Sequence, residues 1–191
     1  MTSPTLTVVS GAPGTGKTTL AHALAHELGC PAIVRDEIKQ GMVLAAPGYR
    51  AGGDDPLNRQ ALDAFFEVTG SLLRAGVTTV IEAAFQDRLW RPHLEPLTDL
   101  AELRVIRCTT PAAMAHDRIA HRVQHSGHRA AHGDRDLLEA IAAGEQSLDA
   151  WVPISLDVPT LLVDTSDGYS PGIQDVVTFI RTSAQVRPSS Y

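Results

Sequence analysis

Gly11-Ala12-Pro13-Gly14-Thr15-Gly16-Lys17-Thr18 is the stretch that decides the fold. It is G-x-x-x-x-G-K-[ST], the pattern of a phosphate-binding loop. Before it, Leu6-Thr7-Val8-Val9-Ser10 reads as a buried strand. After it, residues 17–28 read as a helix with Leu20, Leu24 and Leu28 on one stripe, ended by Gly29. Gly11, Gly14 and Gly16 let backbone amides approach phosphate oxygens. The new helix aims its N-terminal amides and positive dipole end at an anion. Lys17 is spaced to reach β- and γ-phosphates, and the Thr18 hydroxyl to ligate Mg²⁺. Ala12, Pro13, Thr15 and Thr19 complete the expected nucleotide loop, with ATP and Mg²⁺ as the expected cofactors.

Outward from the loop, apolar runs alternate with amphipathic stretches. Strands are expected at 32–34, 77–81, 103–108 and 160–163. Helices are expected at 37–45, 57–74, 112–124, 134–150 and 172–183, with 87–99 helical but broken by Pro92 and Pro96. The 57–74 helix should bury Leu57, Ala61, Phe65, Val68 and Leu72. Residues 47–56, rich in glycine and proline, read as a loop. Strands alternating with helices imply an α/β fold: a mostly parallel sheet sandwiched by helices. Ligands of such sheets lie at the carboxyl ends of the strands.

The size and charge agree with this. A chain of 191 residues and 20.4 kDa fits one domain spanning residues 1–191. Sixteen basic against 22 acidic groups give a net charge of −6, a poor match for phosphate backbones, so nucleic acid is disfavoured as a partner. Cys30 and Cys108 form no CxxC pair, which excludes a zinc ribbon and a disulfide framework. No apolar run is long enough to cross a membrane, and Met1 to Leu6 lacks the features of a leader, so a cytoplasmic location is expected. Two lysines against 14 arginines suggest the coding bias of a GC-rich bacterium.

The second strand runs into Arg35-Asp36-Glu37-Ile38-Lys39-Gln40. Asp36 should emerge beside the phosphate loop, where a carboxylate can take the proton of an attacking hydroxyl. It should also serve as N-cap of the next helix. The third strand runs into Glu82, a candidate to position Mg²⁺. The fifth runs into Asp164-Thr165-Ser166-Asp167-Gly168-Tyr169.

The pairing of G-A-P-G-T-G-K-T-T with R-D-E-I-K-Q resembles a group of AAA-type P-loop small-molecule kinases around chloramphenicol phosphotransferase, zeta toxins and the polynucleotide kinase domain. The resemblance spans nearly the whole chain. It implies a five-stranded sheet of the nucleoside-monophosphate-kinase type, with Asp36 as general base and Lys39 at substrate or phosphate. It also implies a helical lid at about 116–135 and places Asp167, Gly168 and Tyr169 beside the adenine. Many relatives carry D-x-T-N after the third strand, where this chain has Glu82-Ala83-Ala84-Phe85.

Arginines carried by such a lid can neutralise charge spread over transferring oxygens. Arg122 and Arg129 are the leading candidates, with Arg118 next. Five of the eight histidines fall in the same stretch and read as polar lid surface. The acceptor is expected among Asp36, Lys39, Tyr49, Arg50, Phe85 and Arg88, with Arg59 and Trp90 nearby. The expected activity is transfer of the γ-phosphoryl group of ATP to a hydroxyl of a small molecule, an antibiotic or other secondary metabolite by analogy. Two alternatives stand beside it: a 5′-hydroxyl polynucleotide or nucleoside/sugar-nucleotide kinase, and a regulatory ATP-binding switch. The oligomeric state is not legible in the sequence.

Overall fold

Five strands, Thr5–Ser10 (β1), Ala32–Val34 (β2), Thr79–Glu82 (β3), Glu102–Thr109 (β4) and Thr160–Asp164 (β5), lie parallel in the order β2-β3-β1-β4-β5. The structure is a computed structural model that describes residues 3–46, 48–49, 55–125 and 133–182. Successive strand residues face opposite sides of a sheet, so β1 divides its residues between two cores. Leu6 and Val8 join Ile81, Leu103 and Val105 on one face. Val9 joins Val80, Ile106, Cys108 and Val163 on the other. Both sides of the central strands are apolar because helices cover both sides.

Lys17–Leu28 (α1) and Ile173–Arg181 (α7) cover the second face through Leu20, Leu24, Val176 and Ile180. Pro56–Arg74 (α3) and Asp87–Leu94 (α4) cover the first through Phe65, Leu73, Trp90 and Leu94. Arg35–Leu44 (α2) follows β2, Ala112–His125 (α5) follows β4, and Asp134–Ala142 (α6) packs on α5. Gly29 takes φ 71° and ends α1 as expected.

Several expectations need correction. The helix placed at 134–150 stops at Ala142, because Gly144 adopts φ 74° and closes it. The chain then runs on to a short 3-10 turn at Leu148–Ala150. The buried stripe of α3 is Ala61, Phe65, Thr69 and Leu73, while Val68 faces out. Thr69 tolerates burial by donating its hydroxyl to the Phe65 carbonyl at 2.7 Å. Pro92 sits inside α4 without ending it, and the break comes at Glu95–Asp99, a 3-10 segment. α2 begins at Arg35 with Val34 as its N-cap, so Asp36 lies inside the first turn and is not the cap.

Candidate active site

The loop between β1 and α1 is fixed by its own residues and by two distant elements. Thr15 donates its hydroxyl to the Ala12 carbonyl at 2.8 Å. Thr165, just past β5, donates its hydroxyl to the Thr15 carbonyl at 2.7 Å. Gly14 takes φ 82°, and a Cβ there would stand 2.5 Å from the Ala115 carbonyl oxygen of α5. Gly14 is therefore required where the loop passes under a helix, a reason the loop pattern alone does not reveal. Gly16 caps α1 with φ 74° and no side-chain hydrogen bond to the helix amides. Those amides are thus left for an anion.

The alternation in β3 places Glu82. Val80 faces the side covered by α1, so Glu82, two residues on, emerges under the start of that helix. Thr18 donates its hydroxyl to Glu82 Oε2 at 2.8 Å, and Lys17 Nζ stands 4.0 Å from Glu82 Oε1. Lys17 Nζ also donates to the Ala12 carbonyl at 3.0 Å. Lys17 and Glu82 are both buried. Burial pushes the Glu82 carboxyl above its ordinary range. Lys17 and the Thr18 hydroxyl pull it down, and the charges of Asp36 and Glu37 push it up again. That coupling brings Asp36 into the electrostatics of this site. The oxygen set of Thr18 and Glu82 suits a hard divalent cation. Beneath the loop, burial pushes the Cys108 thiol up to about 12, which rules it out as a nucleophile at neutral pH.

Asp36 lies at the same edge of the sheet. Val34 is in register with Glu82, so Asp36 follows β2 as Ala84 follows β3. Arg35 donates from Nη1 to Asp36 Oδ1 at 3.0 Å, and from Nη2 to Asn58 of α3 at 2.9 Å. Arg35 and Asn58 were not singled out in the sequence. An arginine beside a strand-end carboxylate gives no periodic signal, so only the fold reveals the link.

A cavity of about 800 Å³ opens beside the loop, lined by Gly16, Thr19, Arg118, Arg122, Gly168 and Tyr169 among others. Arg118 donates from Nη2 to the carbonyls of Thr165 at 2.7 Å and Ser166 at 3.2 Å, and from Nη1 to that of Gly14 at 3.5 Å. It thus ties the phosphate loop to the segment after β5. Arg122 donates to Asp134 of α6 from Nε at 3.3 Å and from Nη2 at 3.4 Å. Asp167 is exposed nearby and does not line the cavity.

The residues expected on the acceptor side are arranged differently. Lys39 is buried and its Nζ lies 2.7 Å from Asp55 Oδ2. Asp55 also accepts from the Tyr49 hydroxyl and, at 3.0 Å, from the Leu57 amide, so it caps α3. Burial and the neighbouring Asp55 carboxylate push the Tyr49 hydroxyl up to about 12. Burial acts to raise Asp55, but Lys39, Tyr49 and the Leu57 amide outweigh it and hold the carboxyl below its usual range. Lys39 and Tyr49 therefore secure the entry to α3 through Asp55. The Asp55-Pro56 pair was a readable start signal for that helix. Phe85 packs among Phe65, Phe66 and Trp90, with ring centroids 5.0–6.2 Å away. Trp90 is fully buried, and Arg88 and Arg59 are exposed. Arg50 and Arg129 lie outside the described residues.

Fold and site together define a class: a P-loop nucleotide-binding domain of the kinase type. The chain belongs to the AAA domain family, whose model matches residues 6–146. A candidate kinase from Chloroflexus aurantiacus is similar at 26% identity and TM-score 0.80, the match covering 96% of this chain and 100% of that one. A sugar kinase from Janibacter sp. shares the fold at 20% identity and TM-score 0.61, over 94% of this chain and 95% of that one. The APS kinase of Mycobacterium tuberculosis, solved with AMPPNP and APS, does so at 16% identity and TM-score 0.61, over 94% and 98%. No curated protein matches the chain. Among the described residues, no helix is long and apolar enough to cross a membrane.

Proposed function

We propose that this chain moves the γ-phosphoryl group of ATP to a hydroxyl of a small molecule. The observation that carries the reading is the buried Lys17–Glu82 pair with the Thr18 hydroxyl bonded to Glu82, and Asp36 at the same sheet edge. Bound MgATP supplies the electrophilic phosphorus and a divalent charge. Lys17 and the amides after Gly16 hold the β- and γ-phosphates, while Thr18 and Glu82 would hold Mg²⁺. The acceptor hydroxyl oxygen forms a bond to the γ-phosphorus as the bond to the β–γ bridging oxygen breaks. The electron pair leaves on ADP, and Asp36 takes the hydroxyl proton. Arg35 orients Asp36. Arg122, with Arg129, supplies positive charge to the transferring oxygens. Arg118 holds the nucleotide cavity together, and Tyr169 and Gly168 border the base.

A regulatory switch would need no acceptor base, which favours the enzyme reading. The net charge of −6 favours a small acceptor that is not polyanionic, with antibiotics and other secondary metabolites in range. A cytoplasmic site of action suits an ATP-dependent step. Product mass settles the proposal: wild-type chain with MgATP and a hydroxyl-compound panel should yield a product heavier by one phosphoryl group. ATP binding with no product from any hydroxyl compound would support the switch instead.

A further inference from the structure

A second cavity, of about 380 Å³, lies beside the tip of the phosphate loop and has no part in the arrangement described so far. Pro13 of the loop forms one side, and Ala84 and Gln86, just past Glu82, form another. The far wall is the segment after α6, with Glu145, Gln146 and Trp151. That wall is fastened to the edge it faces. Trp151 Nε1 donates to the Ala84 carbonyl at 3.3 Å, and the Asp87 amide donates to the Val152 carbonyl at 3.1 Å. Ser155 donates to Asp87 Oδ1 from its amide at 2.8 Å and its hydroxyl at 3.0 Å. Val34 pairs with Glu82 at the end of the ladder, so Asp36, in the first turn of α2, starts from the same sheet edge.

We infer that this cavity takes the phosphate acceptor, and that the acceptor is a polyhydroxylated ring without an acidic group. The inference rests on the kinase reading above and adds the place and class of the substrate. Gln86 and Gln146 each offer a donor and an acceptor, Glu145 accepts, and the Trp151 ring offers an apolar face, a set that suits a ring bearing many hydroxyls. Among the described residues, no lysine or arginine lines the cavity. The Arg107 guanidinium lies over the Trp151 ring, 5.9 Å from its centroid, and is not among the residues that line the cavity. A carboxylate or phosphate on the acceptor would meet Glu145 with no cation among the described lining residues to offset it. A neutral or amine-bearing polyol meets no such opposition.

The test uses the full chain with MgATP and three acceptor sets of matched size: neutral sugars and cyclitols, their amine-bearing counterparts, and aldonic or uronic acids. Product from either of the first two sets is expected, with kcat/KM for the acids lower by about tenfold or more. Trp151→Ala should raise KM for the polyol about tenfold while KM for ATP stays unchanged. Glu145→Lys, on an exposed turn, should narrow or reverse the preference against acids. Binding is read separately, as a polyol-dependent change in emission lost in Trp151→Phe. An acidic or non-polyol acceptor used best, or an unchanged polyol KM in folded Trp151→Ala, overturns this inference and leaves the kinase reading standing. No phosphorylated product from any hydroxyl compound overturns both.

Discussion

Glu82 touches both groups that the loop pattern names, and its burial has a measurable cost. Its folded carboxyl lies above the ordinary glutamate range, so burial outweighs the attraction of Lys17. A group raised in this way stabilises the fold below its ordinary value and loses that contribution as pH rises through the elevated one. Glu82→Gln should therefore melt higher than the native chain at neutral pH, with the gap closing below about pH 4. Melting temperatures across a pH series check this, and an equal or lower melting point at neutral pH would refute it. The same variant should lose phosphoryl transfer, since activity needs the charge that stability does not. Lys17→Ala should abolish nucleotide-dependent stabilisation, which at a hundredfold excess over Kd amounts to about 2.7 kcal/mol for a binding-competent chain.

At the scale of elements, two junctions carry the site. Gly14 passes under α5 at φ 82°, and a methyl group there would collide with the Ala115 backbone. Gly14→Ala should cost more than about 1 kcal/mol in urea unfolding and weaken ATP binding. Gly144→Ala, with nothing near its missing side chain, should cost about the strain alone and leave ATP binding unchanged. At the other junction, Asp55 joins Lys39 of α2 to the start of α3. Asp55→Ala removes the cap, worth about 1 kcal/mol, and strands a buried ammonium as well. Adding Lys39→Met should restore part of the loss, as unfolding midpoints would show. The sequence made much of this legible. The loop pattern, the strand runs and the stop at Gly29 each encode local rules, and those elements lie close to where they were expected. The contacts of Lys39 with Asp55, Arg35 with Asn58 and Gly14 with Ala115 were not legible, because each joins different elements and leaves no local period. The extended wall after Gly144 was missed because a helical pattern masked its stop signal.

For the whole molecule, the parallel order β2-β3-β1-β4-β5 gathers the chemistry at one sheet edge. Lys17, Glu82 and Asp36 follow or flank three neighbouring strands, and Arg118 ties the loop to the segment after the fifth. The cations at this edge are largely paired with carboxylates, Lys17 with Glu82 and Arg35 with Asp36, so the net charge of −6 bears on the acceptor more than on ATP. At this edge we propose Asp36 as the base of a phosphoryl transfer from ATP to an alcohol. The most direct measurement is the transfer rate of Asp36→Asn beside its ATP affinity, with the acceptor that the wild-type chain phosphorylates. Unchanged ATP affinity and transfer slowed by about 10²–10⁴ are expected. Transfer at the wild-type rate in that variant would contradict it.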